Sequence, residues 1–179
     1  PPVVINPIAQ PGTYQVRLTV DGQSQTESFE IEINPNETYT RAETDEKAKT
    51  WMALYATAEE GVQTVLEAQA AQKRVAEALE SGGASDALQA QAAVVDDLCQ
   101  EFISSMVATG TTLVQIISEP TKPLSMLVTL HNIQEHTEGP PNQPWREVYA
   151  KVAGEMDAKI AAFAASLATE MAKLEELSR

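Results

Sequence analysis

Over residues 12–33 apolar and polar side chains alternate with a period of two. Tyr14, Val16, Leu18 and Val20 are interleaved with Gln15, Arg17 and Thr19, and after Asp21-Gly22 the return limb sets Phe29, Ile31 and Ile33 against Glu30 and Glu32. This pattern predicts a β-hairpin with one dry face. Asp-Gly suits a tight primed turn, which needs positive φ at both central positions, while the polar run 23–28 leaves the register open. Val3, Val4 and Ile5 are candidates for a third strand, interrupted by Pro7 and Pro11. Because a lone hairpin is marginal in water, the dry face calls for cover from the helices, from those N-terminal residues, or from strands outside this chain.

Beyond Asn34-Pro35-Asn36 the period becomes helical. Trp51, Tyr55, Ala58, Val62, Val65, Ala68, Ala71, Val75 and Leu79 recur every three to four residues, opposed by Glu59, Glu60, Gln63, Glu67, Lys73 and Arg74, which predicts one helix over about 43–81. Ser81-Gly82-Gly83 ends it, and Ser85 or Asp86 can cap the next helix. That second helix is expected from Asp86 toward Ser118 on Leu88, Ala92, Val95, Leu98, Cys99, Phe102, Met106, Leu113 and Ile116. Gly110 and its flanking threonines weaken the later half. Pro120 and Pro123 impose a boundary. A shorter helix then carries Leu124, Leu127, Val128, Leu130 and Ile133 as far as Gly139-Pro140-Pro141. The last helix begins near Asn142 or Gln143, takes Pro144 into its first turn, and runs almost to Arg179 on Trp145, Tyr149, Val152, Met156, Ile160, Phe163, Leu167, Met171 and Leu174.

The predicted fold is therefore mainly α: an antiparallel up-and-down helical bundle of three long helices and one short, with a small N-terminal β-hairpin segment. Its division falls between a hairpin segment over residues 1–36 and a bundle over 40–179. Aromatics supply only 5% of the residues although 43% are hydrophobic, so the core is built for close, alanine-rich helix packing. A net charge of −14 repels phosphate backbones and anionic headgroups, which argues against nucleic acid and anionic membrane surfaces as partners. No apolar run reaches the roughly 20 residues of a spanning helix. Pro1 is preceded by neither an initiator Met nor a leader in this sequence, the expectation for a processed or excised product.

Candidate chemistry is sparse. His131 and His136 stand five apart, about 140° around a helix, whereas a metal-binding pair needs i, i+4 spacing; both are expected at the surface or at a helix end, with His136 favourably placed near the negative terminus. Glu59-Glu60, Asp96-Asp97 and Glu175-Glu176 are sequence neighbours on polar faces, unlike two carboxylates opposed across a pocket. Ser104, Ser105 and the threonines of 109–112 have no nearby base in sequence. Cys99, the only cysteine, reads as a small buried hydrophobe whose acidic neighbours Asp96, Asp97 and Glu101 raise a thiol pKa. Asn36-Glu37-Thr38 fits the glycosylation sequon. Trp51, Tyr55, Trp145 and Tyr149 read as core, and would mark a ligand pocket only if gathered at a gap in the bundle. No catalytic, cofactor-binding or metal-binding residue is assigned, and the chain is expected not to be an enzyme.

The run Pro11-Gly12-Thr13-Tyr14-Gln15-Val16-Arg17-Leu18-Thr19-Val20-Asp21-Gly22, continued by Phe29-Glu30-Ile31, resembles a segment of secreted bacterial β-propeller proteins. These are the sortilin-like proteins with BNR repeats, often labelled glycosyl hydrolases. The stretches Lys122-Pro123-Leu124-Ser125-Met126-Leu127 and Gly139-Pro140-Pro141-Asn142-Gln143-Pro144-Trp145-Arg146-Glu147-Val148-Tyr149 look like the helical tail of that family. Where its members often carry Asp-Pro-Arg after the hairpin, Asn34-Pro35-Asn36 stands here. The resemblance implies a hairpin that closes an immunoglobulin-like domain following a propeller, and a secreted or periplasmic location. Any sialidase-like chemistry then lies outside this chain, and no catalytic residue carries over. The expected role is a non-catalytic module that packs against, spaces or oligomerises an exported propeller protein, its partner being the upstream propeller or Ig-like domain, or a second copy. The competing reading is a free-standing helical-bundle protein that binds a basic protein partner or a small ligand.

Overall fold

The computed structural model describes residues 9–33, 35–36, 38–80, 85–108, 121–137 and 139–178. Strands β1 (Gly12–Val20) and β2 (Gln23–Ile31) form an antiparallel two-stranded sheet. Asp21 at φ 50° and Gly22 at φ 81° make the primed two-residue turn that Asp-Gly favours. The turn settles the register that the polar run leaves open: Val20 faces Gln23, Leu18 faces Gln25, Val16 faces Glu27 and Tyr14 faces Phe29. Tyr14 and Phe29 stack with ring centroids 5.9 Å apart, and the Tyr14 hydroxyl donates to the Gln10 carbonyl.

Among the described residues four helices follow: α1 (Arg41–Glu80), α2 (Asp86–Met106), α3 (Pro123–Glu135) and α4 (Gln143–Leu177). Each start has a local cause. Thr40 and Glu43 form a reciprocal capping box, the Thr40 N–H donating to the Glu43 carboxylate and the Glu43 N–H to the Thr40 hydroxyl. Ser85 caps α2 by accepting from Leu88 N–H, and Asn142 caps α4 by accepting from Trp145 N–H. Pro123 and Pro144 sit in the first turns of α3 and α4, where a missing N–H costs nothing.

The second helix is shorter than its apolar pattern predicts. It ends at Met106, and Val107 is already extended. Leu113, Ile116 and the predicted weak point at Gly110 lie outside the described residues. A run in which Val107, three threonines and Gly110 crowd together has low helix propensity.

α1 runs one way, α2 and α3 both run back, and α4 runs parallel to α1. At one end Gln72 of α1 donates to Asp96 of α2, and Gln91 of α2 donates to Glu170 of α4. Midway, Phe102 of α2 stacks on Phe163 of α4 at 4.0 Å, and Gly61 of α1 lies against Met156 of α4 and Leu124 of α3. At the other end Thr57 of α1 bonds Tyr149 of α4, and Trp51 of α1 meets His131 of α3. α2 and α3 thus share one rod, and at about 1.5 Å per residue their summed length of about 50 Å matches that of α4.

The core seam of α1 runs along Trp51, Leu54, Gly61, Thr64, Ala68, Ala71 and Val75. Tyr55, Val62 and Val65, predicted at its centre, lie only half-buried at its edge, and Leu79 is exposed. Gly61 explains the offset. A Cβ there would stand 2.6 Å from Met156 Cε and 3.0 Å from Leu124 Cδ2, so the bare backbone is what lets three helices close together. Ile133, predicted to be apolar-facing on the short helix, is likewise exposed.

Candidate functional site

Two surfaces differ from the rest of the molecule. The first is the dry face of the hairpin. Val16, Leu18, Val20 and Phe29 share it, each between 48% and 65% exposed, and the register sets Glu27, Gln25 and Gln23 on the same face opposite the three aliphatic residues, so apart from Phe29 only the first strand's half of it is apolar. Neither strand packs against a helix. Of the covers open to the hairpin, the four described helices are therefore ruled out; Val3, Val4 and Ile5 lie outside the described residues. Among the described residues the sheet has two strands, and neither outer edge is taken up by a neighbouring strand.

The second surface is a cleft of about 370 Å³ where the base of the hairpin approaches one end of the bundle. Pro11 and Ile31 wall it on the hairpin side, and Tyr39, Lys47, Trp51 and Glu135 on the helical side. Several contacts fix this end. Lys47 donates to the Thr137 carbonyl at 3.0 Å and lies 5.4 Å from the centre of the Trp51 ring, within cation–π range. The buried Gln134 amide donates to the Gly139 carbonyl, and Gly139 at φ 78° lets the Tyr39 ring press onto the backbone. Arg146 bridges Glu46 and the Pro141 carbonyl.

Beside the cleft, Trp51 and Tyr55 of α1 flank His131 of α3, with ring centroids 5.5 Å and 6.0 Å from the imidazole. Trp51 Nε1, Tyr55 Oη and His131 Nδ1 are buried with no hydrogen-bond partner. Ser125 Oγ, also on α3, is a fourth such atom. Each costs about 1–3 kcal/mol relative to a satisfied group, so the contact of Trp51 and Tyr55 with His131 carries an unmet hydrogen-bonding demand. Burial pushes the His131 pKa below the ordinary imidazole value, opposed by the charge of Glu135 and reinforced by His136. Burial also raises the Tyr55 pKa, with Glu135 adding to it.

His131 is therefore not the surface residue its sequence position suggests. Its imidazole is wedged between two aromatic rings, because α3 turns this position toward α1. His136 does lie exposed, as the C-cap of α3. Among the aromatic side chains, Trp145 and Tyr149 stack on each other at 5.4 Å and are satisfied, the indole by the Leu130 carbonyl and the phenol by Thr57. Trp51 and Tyr55 form the unsatisfied pair.

The remaining candidates among the described residues lie apart from this cluster. Glu59, Glu60, Asp96, Asp97, Glu175 and Glu176 are exposed. Ser104 and Ser105 turn their hydroxyls back onto the carbonyls of Glu101 and Phe102 within their own helix. Cys99 is wholly buried in the core, its thiol pushed up by burial and then by Asp96. Asn36 and Thr38 of the sequon are exposed, and Thr109 to Thr112 lie outside the described residues. Among the described residues no three His, Cys, Asp or Glu side chains gather to hold a metal ion, and no helix is long and apolar enough to cross a membrane.

Fold and surfaces together define a helical-bundle protein with an appended, uncovered β-hairpin. No family model, curated protein or solved structure matches this chain. The aromatic–histidine wedge was not found by periodicity. Its only trace in sequence is an i, i+4 pair of large aromatics, Trp51 and Tyr55, together with a histidine inside an apolar helix, and nothing in sequence says that these two stretches meet.

Proposed function

We propose that this chain is a non-catalytic interaction module whose hairpin completes the β-sheet of a covalently attached domain, while the bundle acts as a spacer. On the resemblance given above, that domain is Ig-like and follows the propeller of an exported protein. The supporting observation is the exposed apolar row of Val16, Leu18, Val20 and Phe29, which none of the described helices covers. A β-sheet suits that face because alternate side chains offer apolar contacts while the open edges offer a row of backbone hydrogen bonds.

A second copy is a poorer occupant. Nine-residue strands at about 3.3 Å per residue and roughly 4.8 Å apart give a footprint of about 300 Å². Two such faces bury about 600 Å² together, well below the roughly 1,200 Å² of a stable interface. An attached sheet needs less area, since the tether supplies a high effective concentration.

The test is amide hydrogen exchange over residues 16–20, measured in this chain alone and in the polypeptide of the full reading frame. Slower exchange in the longer form supports the reading. Equal exchange in both, or a reading frame with no β-domain ahead of the hairpin, overturns it.

A further inference from the structure

The three unpartnered atoms Trp51 Nε1, Tyr55 Oη and His131 Nδ1 are sealed from solvent, so a molecule resting in the cleft does not reach them. They make a contact with something to gain from opening, rather than the floor of a ligand site. His131 is the member that can change its charge. Its Nε2 stands 3.6 Å from a Glu135 carboxylate oxygen, which favours the proton on that nitrogen and leaves Nδ1 as a bare lone pair inside the α1–α3 contact. A second proton, reaching Nδ1 as the contact opens transiently, leaves on closing a buried N–H donor with no acceptor in reach, since the indole nitrogen only donates; the attraction of the two ring faces for an imidazolium opposes this cost.

We propose that the α1–α3 contact is an acid-operated latch, in which protonation of His131 at Nδ1 parts α3 from Trp51 and Tyr55 and admits water to the wall of the cleft. The neighbouring charges do not cancel the effect. On α3, Glu135 favours the imidazolium and His136 opposes it. From α1, Tyr55 is neutral throughout the range, and Lys47 is held by the Thr137 carbonyl over the Trp51 ring. From α4, Arg146 is engaged by Glu46 and the Pro141 carbonyl. Because burial holds the closed-state pKa below the ordinary 6.5, the latch is fully closed above that pH and weakens as pH falls through the lowered value. Trp51 and Glu135 also wall the cleft, so opening disturbs the surface that faces the hairpin base.

The two tryptophans are built-in reporters. With 5-fluorotryptophan in the whole chain, fluorine NMR from about pH 7.5 down to about pH 5 is expected to show Trp51 gaining solvent exposure several-fold along a single titration, with Trp145 unmoved. His131→Phe, which keeps a ring but no proton site, abolishes the titration, and His136→Gln preserves it. Should His131→Phe fail to fold, His131→Gln replaces it. Carbon-labelled histidine in the unsubstituted chain gives a test independent of any variant. A constant Trp51 signal, a titration that survives removal of His131, or a His131 pKa at or above 6.5 overturns the proposal.

Discussion

The hairpin shows its period on the first strand and the bundle shows its own along the helices, yet only the bundle buries what its pattern sets aside. In the bundle, Leu54, Met106, Leu127 and Met156 are almost wholly enclosed, because each helix offers its stripe to at least two others. In the hairpin, Leu18 and Val20 stand in solvent on a sheet of correct register with a well-formed turn. Periodicity therefore specifies an element and the face it must cover, but not the partner that covers it. A regular element with an uncovered face is incomplete, and that is what gives the hairpin its proposed role.

Substitutions sharpen this contrast. The largest loss is expected from Phe163→Ala, which removes a ring stacked on Phe102 in the closed half of the bundle. About 3–5 kcal/mol of stability should disappear in urea unfolding. A much smaller loss would mean that the bundle is loosely packed and that its difference from the hairpin has been overdrawn. Next comes Gly139→Ala, at the loop joining α3 to α4. Its backbone at φ 78° and the Tyr39 ring 2.5 Å from the added carbon together predict a loss of about 1–3 kcal/mol.

Thr40→Ala should cost about 1 kcal/mol by uncapping α1. Glu43, its reciprocal partner, has a carboxyl held below the ordinary 4.5 by the Thr40 N–H and hydroxyl. Its contribution is complete above that pH and is lost as pH falls through the lowered value, so Glu43→Gln should flatten the acid limb of the stability profile. The smallest effect is expected in the hairpin. Leu18→Thr should change the stability of this chain by no more than about 0.5 kcal/mol, since the leucine covers nothing here. In the full reading frame the same change should cost more, and equal small effects in both would remove the hairpin's claim to be an interface.

Much of the architecture was legible because the signals are local. Asp21-Gly22 marks the turn, Ser85 and Asn142 the caps, and Pro123 and Pro144 the helix starts, each through chemistry that acts within a few residues. Apart from the early end of α2, which local propensity explains, two departures share one cause. α1 buries Leu54 and Gly61 rather than centring on Tyr55 and Val62, because Met156 and Leu124 approach exactly where a side chain is missing, and they belong to other helices. His131, expected at the surface or at a helix end, takes its ring neighbours from α1, and the residues beside it in sequence, Asn132, Gln134 and Glu135, give no sign of that contact.

By itself the sequence determined the element types, their order and most of their ends, since propensity, capping and hydrophobic period act over a turn of helix or a pair of strands. Tertiary structure alone decided that α2 and α3 share one rod, that two aromatic rings close on His131, and that the hairpin's dry face meets no helix. Those outcomes depend on which distant surfaces come to lie together, and a contact between residues some eighty positions apart leaves no mark in the local pattern of either partner.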